Sequence, residues 1–319
     1  MQNVGWGVVG TSGFAETEAA RAIEAAAGAK LLGAAGSTPQ NSLQFRKRHG
    51  CPHSYSRLAE LAEDPDVSIV WVAGPNHLHS SATIDLLKAG KHVLVEKPMA
   101  ISAADAEAMV AAATRQGATL RVGYHHRFSH AHRRLREIVA GGELGKVGFF
   151  RIHMLVRYPA LPPAWRRAAS TSGGWAINDV GTHLIDLMLW ITELPADIVG
   201  ARLSTQRFPV ETDDGVALLF ALGKDGTGIV ETSTALESPS SRIEIYGDKG
   251  WARAEGTLGG PGTIATSSQG LHEMNKLDPF VEQVLGMNDA VAGKPSINAE
   301  GSIGVENVRL IQLARALAK

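Results

Sequence analysis

The sequence has little of several features that mark particular classes of protein. It contains 1 cysteine, Cys51, so an intrachain disulfide is impossible and a cysteine-based metal centre is not expected. The 31 basic and 32 acidic residues leave a net charge of −1, so no basic field is available for nucleic acid or an anionic membrane. No apolar run approaches the roughly 20 residues that span a bilayer. We therefore expect a soluble, cytoplasmic protein that binds neither nucleic acid nor membrane.

The chain does have enough length for two domains with sizeable cores. It has 319 residues, of which 44% are hydrophobic and 20% charged, as in ordinary globular proteins. Strands and helices alternate in the first part, and strands dominate the second. The change of pattern predicts a first domain at 1–122 and a second at 123–319.

A glycine-rich turn follows the first predicted strand, Val4–Val9, and precedes a predicted helix at 18–27. Strand, glycine-rich turn and helix in this order are the context in which a dinucleotide binds, because the helix N-terminus offers N–H groups to the pyrophosphate. The fingerprint is imperfect, since Ser12 replaces its second glycine, and such turns also occur without a ligand. The turn residues that we expect near a nucleotide are Gly10, Ser12, Gly13 and Phe14.

The second predicted strand, 30–35, is not followed by an acidic residue. Enzymes that use NAD place an aspartate or glutamate there to bind the ribose 2′-hydroxyl, whereas this chain has Gly-Ser-Thr-Pro at 36–39. The hydroxyls of Ser37 and Thr38 can donate to a 2′-phosphate, which favours NADP but leaves NAD open. The basic run 46–48 could add charge, although a solvated helix face explains it better.

The alternation continues to residue 122 and predicts a doubly wound parallel sheet, an α/β Rossmann fold. The further predicted strands are 67–73, 92–95 and 118–122, and the predicted helices are 58–63, 81–89 and 103–116. Polar residues follow two of these strands, Asn76 and His79 after one and Glu96 and Lys97 after the next. Because ligands bind at the carboxyl ends of such strands, we place all four beside the nucleotide.

Residues 173–187 combine two carboxylates and an imidazole at helical spacing. Asp179 lies four residues before His183, and Asp186 lies three residues after it, so a helix stacks all three on one face. A carboxylate beside a histidine holds its tautomer and raises its basicity, which suits proton transfer near neutral pH. Spacing alone favours the plainer alternative, an amphipathic helix whose polar residues face water.

Two motifs in the chain resemble those of the Gfo/Idh/MocA oxidoreductase family. The first is Pro-Asn-x-x-His at 75–79, followed by Ala-Gly-Lys-His-Val-Leu-Val-Glu-Lys-Pro at 89–98, and the second is the 173–187 stretch. The resemblance covers nearly the whole chain. It implies an N-terminal Rossmann domain and a C-terminal α/β domain with an open, mostly antiparallel sheet. It also implies hydride exchange between NADP or NAD and a sugar, polyol or related ring alcohol.

Within the family, the chain resembles 1,5-anhydro-D-fructose reductase-like sugar dehydrogenases. The similar runs are His125-His126, Pro162-Pro163, Trp165-Arg166 and Thr212-Asp213-Asp214-Gly215. The resemblance to these reductases implies NADPH, yet the arginine expected shortly after Ser37 is replaced. Trp175 also departs from the pattern, because the family usually has a third glycine there.

The resemblance also implies roles for individual residues. Lys97, Asp179 and His183 are the implied catalytic set: His183 would exchange the proton, Asp179 would be its partner and a substrate ligand, and Lys97 would stabilise alkoxide charge. The division of roles between Lys97 and His183 stays open, and we interpret Asp186 as structural. The further substrate contacts implied are Tyr124, His125 and Trp175. Trp165 and Arg166 would reach over the nicotinamide, although loop packing is an equal alternative.

Histidines crowd into the segment 125–132, where His125, His126, His130 and His132 are close in sequence. Such spacing can indicate a metal site. No carboxylate lies within the cluster, and the resembled family uses no metal in its chemistry. We therefore predict no metal, and we interpret the basic run that follows as a solvated face of an amphipathic helix.

The second half predicts an antiparallel sheet, because strands alternate with Gly-Asp and Asp-Gly turns. The predicted strands are 198–206, 215–222, 228–236, 241–246 and 250–255, and helices at 279–292 and 299–317 close the chain. A broad sheet with helices on one face must cover the other, so we expect a homodimer or homotetramer formed through this sheet.

Two other functions remain possible on the same fold. One is a dinucleotide-binding sensor or regulator without turnover, which would have no need of a complete proton-transfer set. The other is a redox-neutral glycosidase that uses bound NAD for a transient oxidation. A cofactor that copurifies and is not consumed would indicate the second.

Overall fold

The structure is a computed structural model that describes residues 3–268, 270–275 and 277–318. Its contacts divide the chain into two compact units, one formed by residues up to 125 together with 278–305, the other by residues 126–277 and those from 306 onward. The first boundary lies three residues beyond the predicted one. The sequence prediction assigned all of 123–319 to the second domain and did not include the return of 278–305 to the first unit.

The first unit is built on a six-stranded sheet with the order β14-β5-β4-β3-β1-β2. Strands β1 to β5 pair in parallel, and only β14 runs antiparallel to its neighbour β5. This topology confirms the doubly wound α/β prediction. The strands are β1 (Val4–Val9), β2 (Ala29–Ala35), β3 (Ile69–Val72), β4 (His92–Val95), β5 (Leu120–Val122) and β14 (Ala299–Glu300).

The helices of the first unit begin and end where local chemistry favours it. The Thr38 hydroxyl accepts from the backbone N–H of Asn41 at the start of α2, and Ser102 does the same for Asp105 at the start of α5. Left-handed Gly50 and Gly117 end these two helices. The α-helices are α1 (Arg21–Ala25), α2 (Pro39–His49), α3 (Leu58–Glu63), α4 (His79–Lys88), α5 (Ala103–Gln116) and α10 (Pro279–Val291).

The return of 278–305 has a clear physical reason. Helix α10 places Val284 and Met287 in the same buried core as Trp6 and Trp71 of the sheet. The Trp6 indole N–H donates to the Asn288 side chain at 3.0 Å, which joins β1 to α10. The apolar face of α10 is buried in this way, so the segment belongs to the first core.

The second unit is built on an eight-stranded sheet with the order β13-β12-β11-β10-β6-β9-β8-β7. All of its neighbours pair antiparallel except β6 and β9, which confirms the mostly antiparallel prediction. The central strand β6 was not predicted. The strands are β6 (Val147–Leu155), β7 (Ala196–Ser204), β8 (Gly215–Leu222), β9 (Gly226–Ser233), β10 (Arg242–Gly247), β11 (Trp251–Glu255), β12 (Thr263–Thr266) and β13 (His272–Glu273).

Helix α9 (Thr182–Thr192) is the most buried helix of this unit, with ten of its residues buried. A π-helical turn, Ile177–Gly181, leads into it. The Thr182 hydroxyl donates to the Asn307 side chain, and the Asn307 amide donates back to the Thr182 carbonyl, each at 2.9 Å. The other helices of this unit are α6 (His130–Ala140), α7 (Ala164–Arg167) and α8 (Ala169–Ser172), and the last helix, α11 (Gly301–Leu317), has residues 301–305 in the first unit and the rest in the second.

Within the described ranges, none of the helices has both the length and the apolar character required to cross a membrane.

Candidate active site

The glycine-rich turn after β1 has the shape that a pyrophosphate requires. Gly10 adopts a φ of 118°, and a Cβ there would lie 2.9 Å from the Cβ of Ala15 and 3.2 Å from the Ala73 carbonyl oxygen. Gly13, at a φ of 55°, faces open space with nothing within 4 Å of a Cβ. The helix begins with a π-helical segment, Ala15–Ala20, directly after this opening, so its N–H groups lie beside it. The turn therefore fits a dinucleotide.

The other predicted turn residues differ in what they can offer. Ser12 is exposed and borders the opening. Phe14 packs edge-on against Trp71 at 6.0 Å and against Phe280 at 5.4 Å between ring centroids. Its ring is thus a partly buried support of the turn, and only its backbone can contact a phosphate.

The end of β2 carries hydroxyl groups and one nearby arginine. Ser37 accepts from the Asn41 side-chain amide at 3.0 Å, and its own hydroxyl proton is not used in that bond. Thr38 caps α2. Arg48 donates to the Thr11 carbonyl at 3.2 Å and pairs with Glu16, so this member of the basic run reaches the glycine-rich turn. Arg46 instead donates to the Cys51 carbonyl.

His79 connects the loops that follow β3 and β4. Its side chain is 1% exposed, and its two ring nitrogens lie 2.8 Å from the carbonyl oxygens of Gly74 and Pro98. Burial lowers the pKa of this imidazole. Both nitrogens face backbone, so His79 holds the loop that contains the cis Lys97–Pro98 bond. Neither ring nitrogen is therefore directed at a cofactor, contrary to the predicted contact. Asn76 is buried beside it at the start of a short 3₁₀ turn, and Lys97 is half-buried.

Glu96 is buried below the carboxyl end of the sheet. The Trp71 indole N–H donates to its carboxylate at 3.1 Å, and a Cβ on Gly123 would come within 2.6 Å of that carboxylate. Burial raises the pKa of Glu96 to about 7, so it exchanges a proton near neutral pH. Such a carboxyl suits a supporting position more than the direct cofactor contact that we expected.

Tyr124 and His125 follow β5 in the first unit. Tyr124 is 1% exposed, so its ring is part of the packing and does not present a face to a substrate. His125 is half-buried, with its ring 4.3 Å from that of Phe280 at an angle of 36°. Of these two predicted substrate contacts, the structure leaves His125 the more accessible.

In the second unit, a tight glycine turn leads into the helix that carries Asp179 and His183. Gly174 adopts a φ of 127°, and a Cβ there would lie 2.6 Å from Ile177 and 2.9 Å from the Asp213 carboxylate. Asp213 accepts from the backbone N–H of Ile177 at 2.7 Å and caps the π-helical turn. Burial raises the pKa of Asp213 to about 6, although the N–H bond works in the opposite direction.

Asp179 and His183 lie at the junction of this π-helical turn with α9. The side chain of Asp179 is 11% exposed, and His183 is 6% exposed overall. Tyr158 donates to one carboxylate oxygen of Asp179 at 2.8 Å, and Arg166 lies 3.2 Å from the other. The His126 ring meets that of His183 edge to face, with centroids 4.8 Å apart. A carboxylate and an imidazole, each only slightly exposed, are thus held at the start of one helix, and an imidazole so placed suits proton exchange.

Asp186 is separated from this pair by its own partner. It accepts two hydrogen bonds from Arg127, one at 2.8 Å, and the two residues are 1% and 5% exposed. Desolvation raises the pKa of the Asp186 carboxyl, and the Arg127 charge opposes that effect. This buried ion pair gives Asp186 the structural position that the sequence analysis assigned to it.

His132, from the histidine-rich segment, is wholly buried. Its Nδ1 donates to the His126 carbonyl at 2.7 Å, because a carbonyl can only accept, and its Nε2 therefore accepts from the Thr257 hydroxyl at 3.0 Å. Burial lowers the pKa of His132 to about 4, so the ring stays neutral. Its role is to hold the His126 backbone.

Trp165, Arg166 and Trp175 divide into two groups. Arg166 stacks over the Trp165 ring at 4.9 Å and reaches Asp179, so this pair borders the candidate site. Trp175 is 1% exposed and packs edge-on against Tyr158 at 5.7 Å and Phe208 at 5.1 Å. A direct substrate contact is not available to so buried a ring, which acts on the site through Tyr158.

Comparison with known proteins agrees with both halves of this arrangement. The family model described as "Oxidoreductase family, NAD-binding Rossmann fold" matches residues 4–124, and the Gfo/Idh/MocA C-terminal domain model matches residues 132–253. The chain belongs to the Gfo/Idh/MocA oxidoreductase family. The first match confirms a dinucleotide-binding domain for NAD(P).

Named relatives of this family member include several sugar and polyol oxidoreductases. It is 28% identical to 1,5-anhydro-D-fructose reductase of Ensifer adhaerens, over 94% of this chain and 92% of that protein. It is 31% identical to myo-inositol 2-dehydrogenase of Thermotoga maritima, over 65% of this chain and 62% of that protein. Aldose-aldose oxidoreductase from Caulobacter crescentus, solved with glycerol, has the same fold with a TM-score of 0.90 at 25% identity, covering 99% and 98% of the two chains.

Sequence reasoning missed three residues of the site. Tyr158 lies in a segment without periodicity, and nothing in the sequence connects it with Asp179. Asp213 belongs to the quoted Thr-Asp-Asp-Gly run, which was used for resemblance alone. Arg127 stands directly after the two quoted histidines, where its charge could have been matched with Asp186.

Proposed function

We propose that the protein is an NADP-dependent oxidoreductase that transfers hydride between nicotinamide and a hydroxyl or carbonyl group of a sugar, anhydro-sugar or polyol. The observation that carries the proposal is that Asp179 and His183 both lie nearly buried at the start of α9, in a chain whose other unit has a turn open to pyrophosphate. The named activities of the relatives support the substrate class.

The chain's own residues divide the chemistry among them. The nicotinamide, when bound, supplies or accepts the hydride. His183 exchanges the proton of the reacting hydroxyl, because an imidazole changes charge near neutral pH. Asp179 accepts from a substrate hydroxyl and supports the imidazole, while Lys97 hydrogen-bonds the reacting oxygen and stabilises its developing negative charge.

The preference for NADP rests on the end of β2. Ser37 and Thr38 stand where NAD enzymes have a carboxylate, so a 2′-phosphate meets hydroxyl donors and no opposing charge. Arg48 adds a positive charge within reach of the glycine-rich turn. Among the relatives, scyllo-inositol 2-dehydrogenase of Bacillus subtilis is named as an NADP(+) enzyme, whereas the solved levoglucosan dehydrogenase holds NADH. We therefore expect kcat/KM to be higher with NADP than with NAD.

The test is a steady-state NAD(P)H absorbance assay over sugars, inositols and anhydro-sugars. Lys97→Ala and His183→Ala should each lower kcat by at least about two orders of magnitude. The exposed Lys88→Ala and the half-buried His130→Ala are matched controls that should leave kcat unchanged. Near-normal turnover in either catalytic variant would show that the assignment is wrong. A copurifying cofactor that is not consumed would favour a glycosidase instead, and binding without turnover would favour a sensor.

We also propose that the protein is a homodimer or homotetramer formed through the eight-stranded sheet. Phe149, Tyr246 and Trp251 lie side by side on the neighbouring strands β6, β10 and β11. Tyr246 and Trp251 are 44% and 38% exposed. Leu219, which is 41% exposed, pairs with Ile229 in the next row. Light scattering that shows a monomer at micromolar concentration would contradict this proposal. The cytoplasmic location likewise stays a proposal, supported by the single cysteine.

A further inference from the structure

The Tyr158 hydroxyl contacts the carboxylate of Asp179, and the proposed reaction gives this contact no role. It donates to an oxygen of Asp179 at 2.8 Å, and its ring is half-buried in the second unit. Hydrogen bonds to an ionised carboxylate are shorter and about twice as strong as those between neutral groups. Tyr158 therefore makes one of the stronger contacts available to Asp179.

Arg166 occupies the other oxygen of the same carboxylate. One nitrogen of its guanidinium lies 3.2 Å from that oxygen, and the guanidinium carbon lies 4.9 Å from the centroid of the Trp165 ring. The Tyr158 hydrogen bond and the Arg166 ion pair meet two different oxygens of the carboxylate and so restrict both its position and its rotation.

The location of the Tyr158 hydroxyl is itself fixed by its surroundings. Its backbone N–H donates to the Thr234 carbonyl at 3.0 Å, and Arg207 donates to the Tyr158 carbonyl at 2.8 Å. Its ring packs edge-on against Trp175, and Trp175 packs against Phe208 in the same way. Backbone and ring are thus both held, so little conformational entropy is lost when the hydroxyl meets Asp179.

We propose that Tyr158 is a positioning residue that, together with Arg166, holds Asp179 in the orientation in which it receives the substrate. The proposal rests on the proposed function, in which Asp179 binds a substrate hydroxyl. Trp175 takes part by supporting the Tyr158 ring, which gives a physical role to the residue that departs from the family's glycine.

Tyr158 positions Asp179 and does not exchange the proton of the reaction. Burial and the nearby Asp179 charge both raise the pKa of the phenol above its ordinary value. The phenol therefore keeps its proton and continues to donate to the carboxylate at every pH at which the enzyme would work.

The decisive variant is Tyr158→Phe, which removes one hydroxyl and keeps the ring. We expect kcat/KM for the substrate to fall about 10- to 100-fold, the range that corresponds to a lost hydrogen bond to a charged group. The KM for the cofactor should not change, because Tyr158 acts on Asp179. In an Asp179→Ala background, the same substitution should change residual kcat/KM by no more than about 2-fold.

Tyr55→Phe is the matched control. Tyr55 also donates from a buried ring to an aspartate, Asp64, at 2.7 Å, but both residues lie in the first unit and neither is assigned to catalysis or binding. This control should leave kcat/KM unchanged. An equal loss in both tyrosine variants, or an undiminished effect of Tyr158→Phe in the Asp179→Ala background, would overturn the proposal.

A measurement that needs no turnover separates this inference from the proposed function. The chain has 4 tyrosines, and ¹³Cζ labelling gives each a resonance that reports the hydrogen bond of its hydroxyl. Tyr158→Phe assigns one resonance, and Asp179→Ala should move that resonance while the Tyr55 signal stays in place. An unmoved resonance would refute the contact even in an active enzyme. A moved resonance in a protein that turns over nothing would uphold the contact and reject the proposed function.

Discussion

Removing the charge of Arg127 should destabilise the second unit more than any surface substitution. Arg127 and Asp186 form a bidentate ion pair, with side chains 6% and 1% exposed. Arg127→Met keeps most of the side-chain volume but leaves the Asp186 carboxylate buried without its counter-charge. The pair joins the segment before α6 to the middle of α9, so its loss also loosens the helix that carries His183.

The size of the effect follows from the burial of both partners. Removing one member of a buried pair costs about 3–5 kcal/mol, because the remaining charge has lost its solvent and its partner. In a unit of this size, that loss lowers Tm by roughly 6–20 °C. Replacing both partners, as in Arg127→Met with Asp186→Leu, should recover most of the stability, since apolar residues of similar volume do not require charge compensation.

Urea unfolding followed by tryptophan fluorescence measures these differences. Lys146→Met is the matched control, because Lys146 pairs with Asp225 at 2.6 Å while the two side chains are 64% and 56% exposed. Lys146→Met should leave the free energy of unfolding almost unchanged, because solvent screens so exposed a pair. A loss below about 1 kcal/mol for Arg127→Met, or a double variant no more stable than the single one, would refute the reasoning from burial.

Three further predictions follow from single features of the site. Asp213→Asn should remove the pH dependence that this carboxyl contributes to stability. The folded pKa of about 6 exceeds the ordinary value of 3.8, so the folded state binds the proton more tightly. The contribution of Asp213 to the free energy of unfolding should therefore fall by about 2 kcal/mol as pH rises from 4 to 6, which urea titrations at several pH values detect. Gly174→Ala should lower the Tm more than Gly28→Ala does. Both glycines have a positive φ, but only at Gly174 would a Cβ lie against neighbouring atoms. Arg48→Met should lower kcat/KM with NADP and leave kcat/KM with NAD unchanged. Arg46→Met, on the same helix, should change kcat/KM with neither cofactor. Equal losses with both cofactors in Arg48→Met would contradict the role given to Arg48.

The sequence predicted the first unit well because its signals are local. A run such as Val4–Val9 is apolar throughout, and the helix Ala103–Gln116 has a serine before it and a glycine after it. Each of these elements can be recognised from its own residues, so the Rossmann fold follows from their order. The helix after the glycine-rich turn begins earlier than predicted, at Ala15, and its first segment is π-helical.

The parts that could not be predicted depend on contacts distant in sequence. The sequence of 278–305 predicts ordinary helices, and only the packing of this segment against Trp6 and Trp71 shows which core it joins. Tyr158 reaches Asp179 across 21 residues, and Asp213 reaches Ile177 across 36. Burial of Trp175 has the same origin, because Phe208 covers it from another loop. None of these pairs leaves a periodic trace in the sequence.

Buried polar contacts are concentrated along the helix that carries the candidate catalytic pair. Asp213 caps its first turn, Asn307 bonds Thr182 from both sides, and Arg127 holds Asp186 one turn beyond His183. Apolar residues of similar volume in place of the Arg127–Asp186 pair would keep most of the stability, because each buried polar group must first lose its water. Hydrogen bonds, however, have a direction that apolar packing lacks, so these contacts fix the rotation and the position of the helix along its axis. A helix held in this way presents Asp179 and His183 with little freedom, as proton transfer to a bound substrate requires. The three contacts are therefore better explained by the orientation of the site than by the stability of the fold.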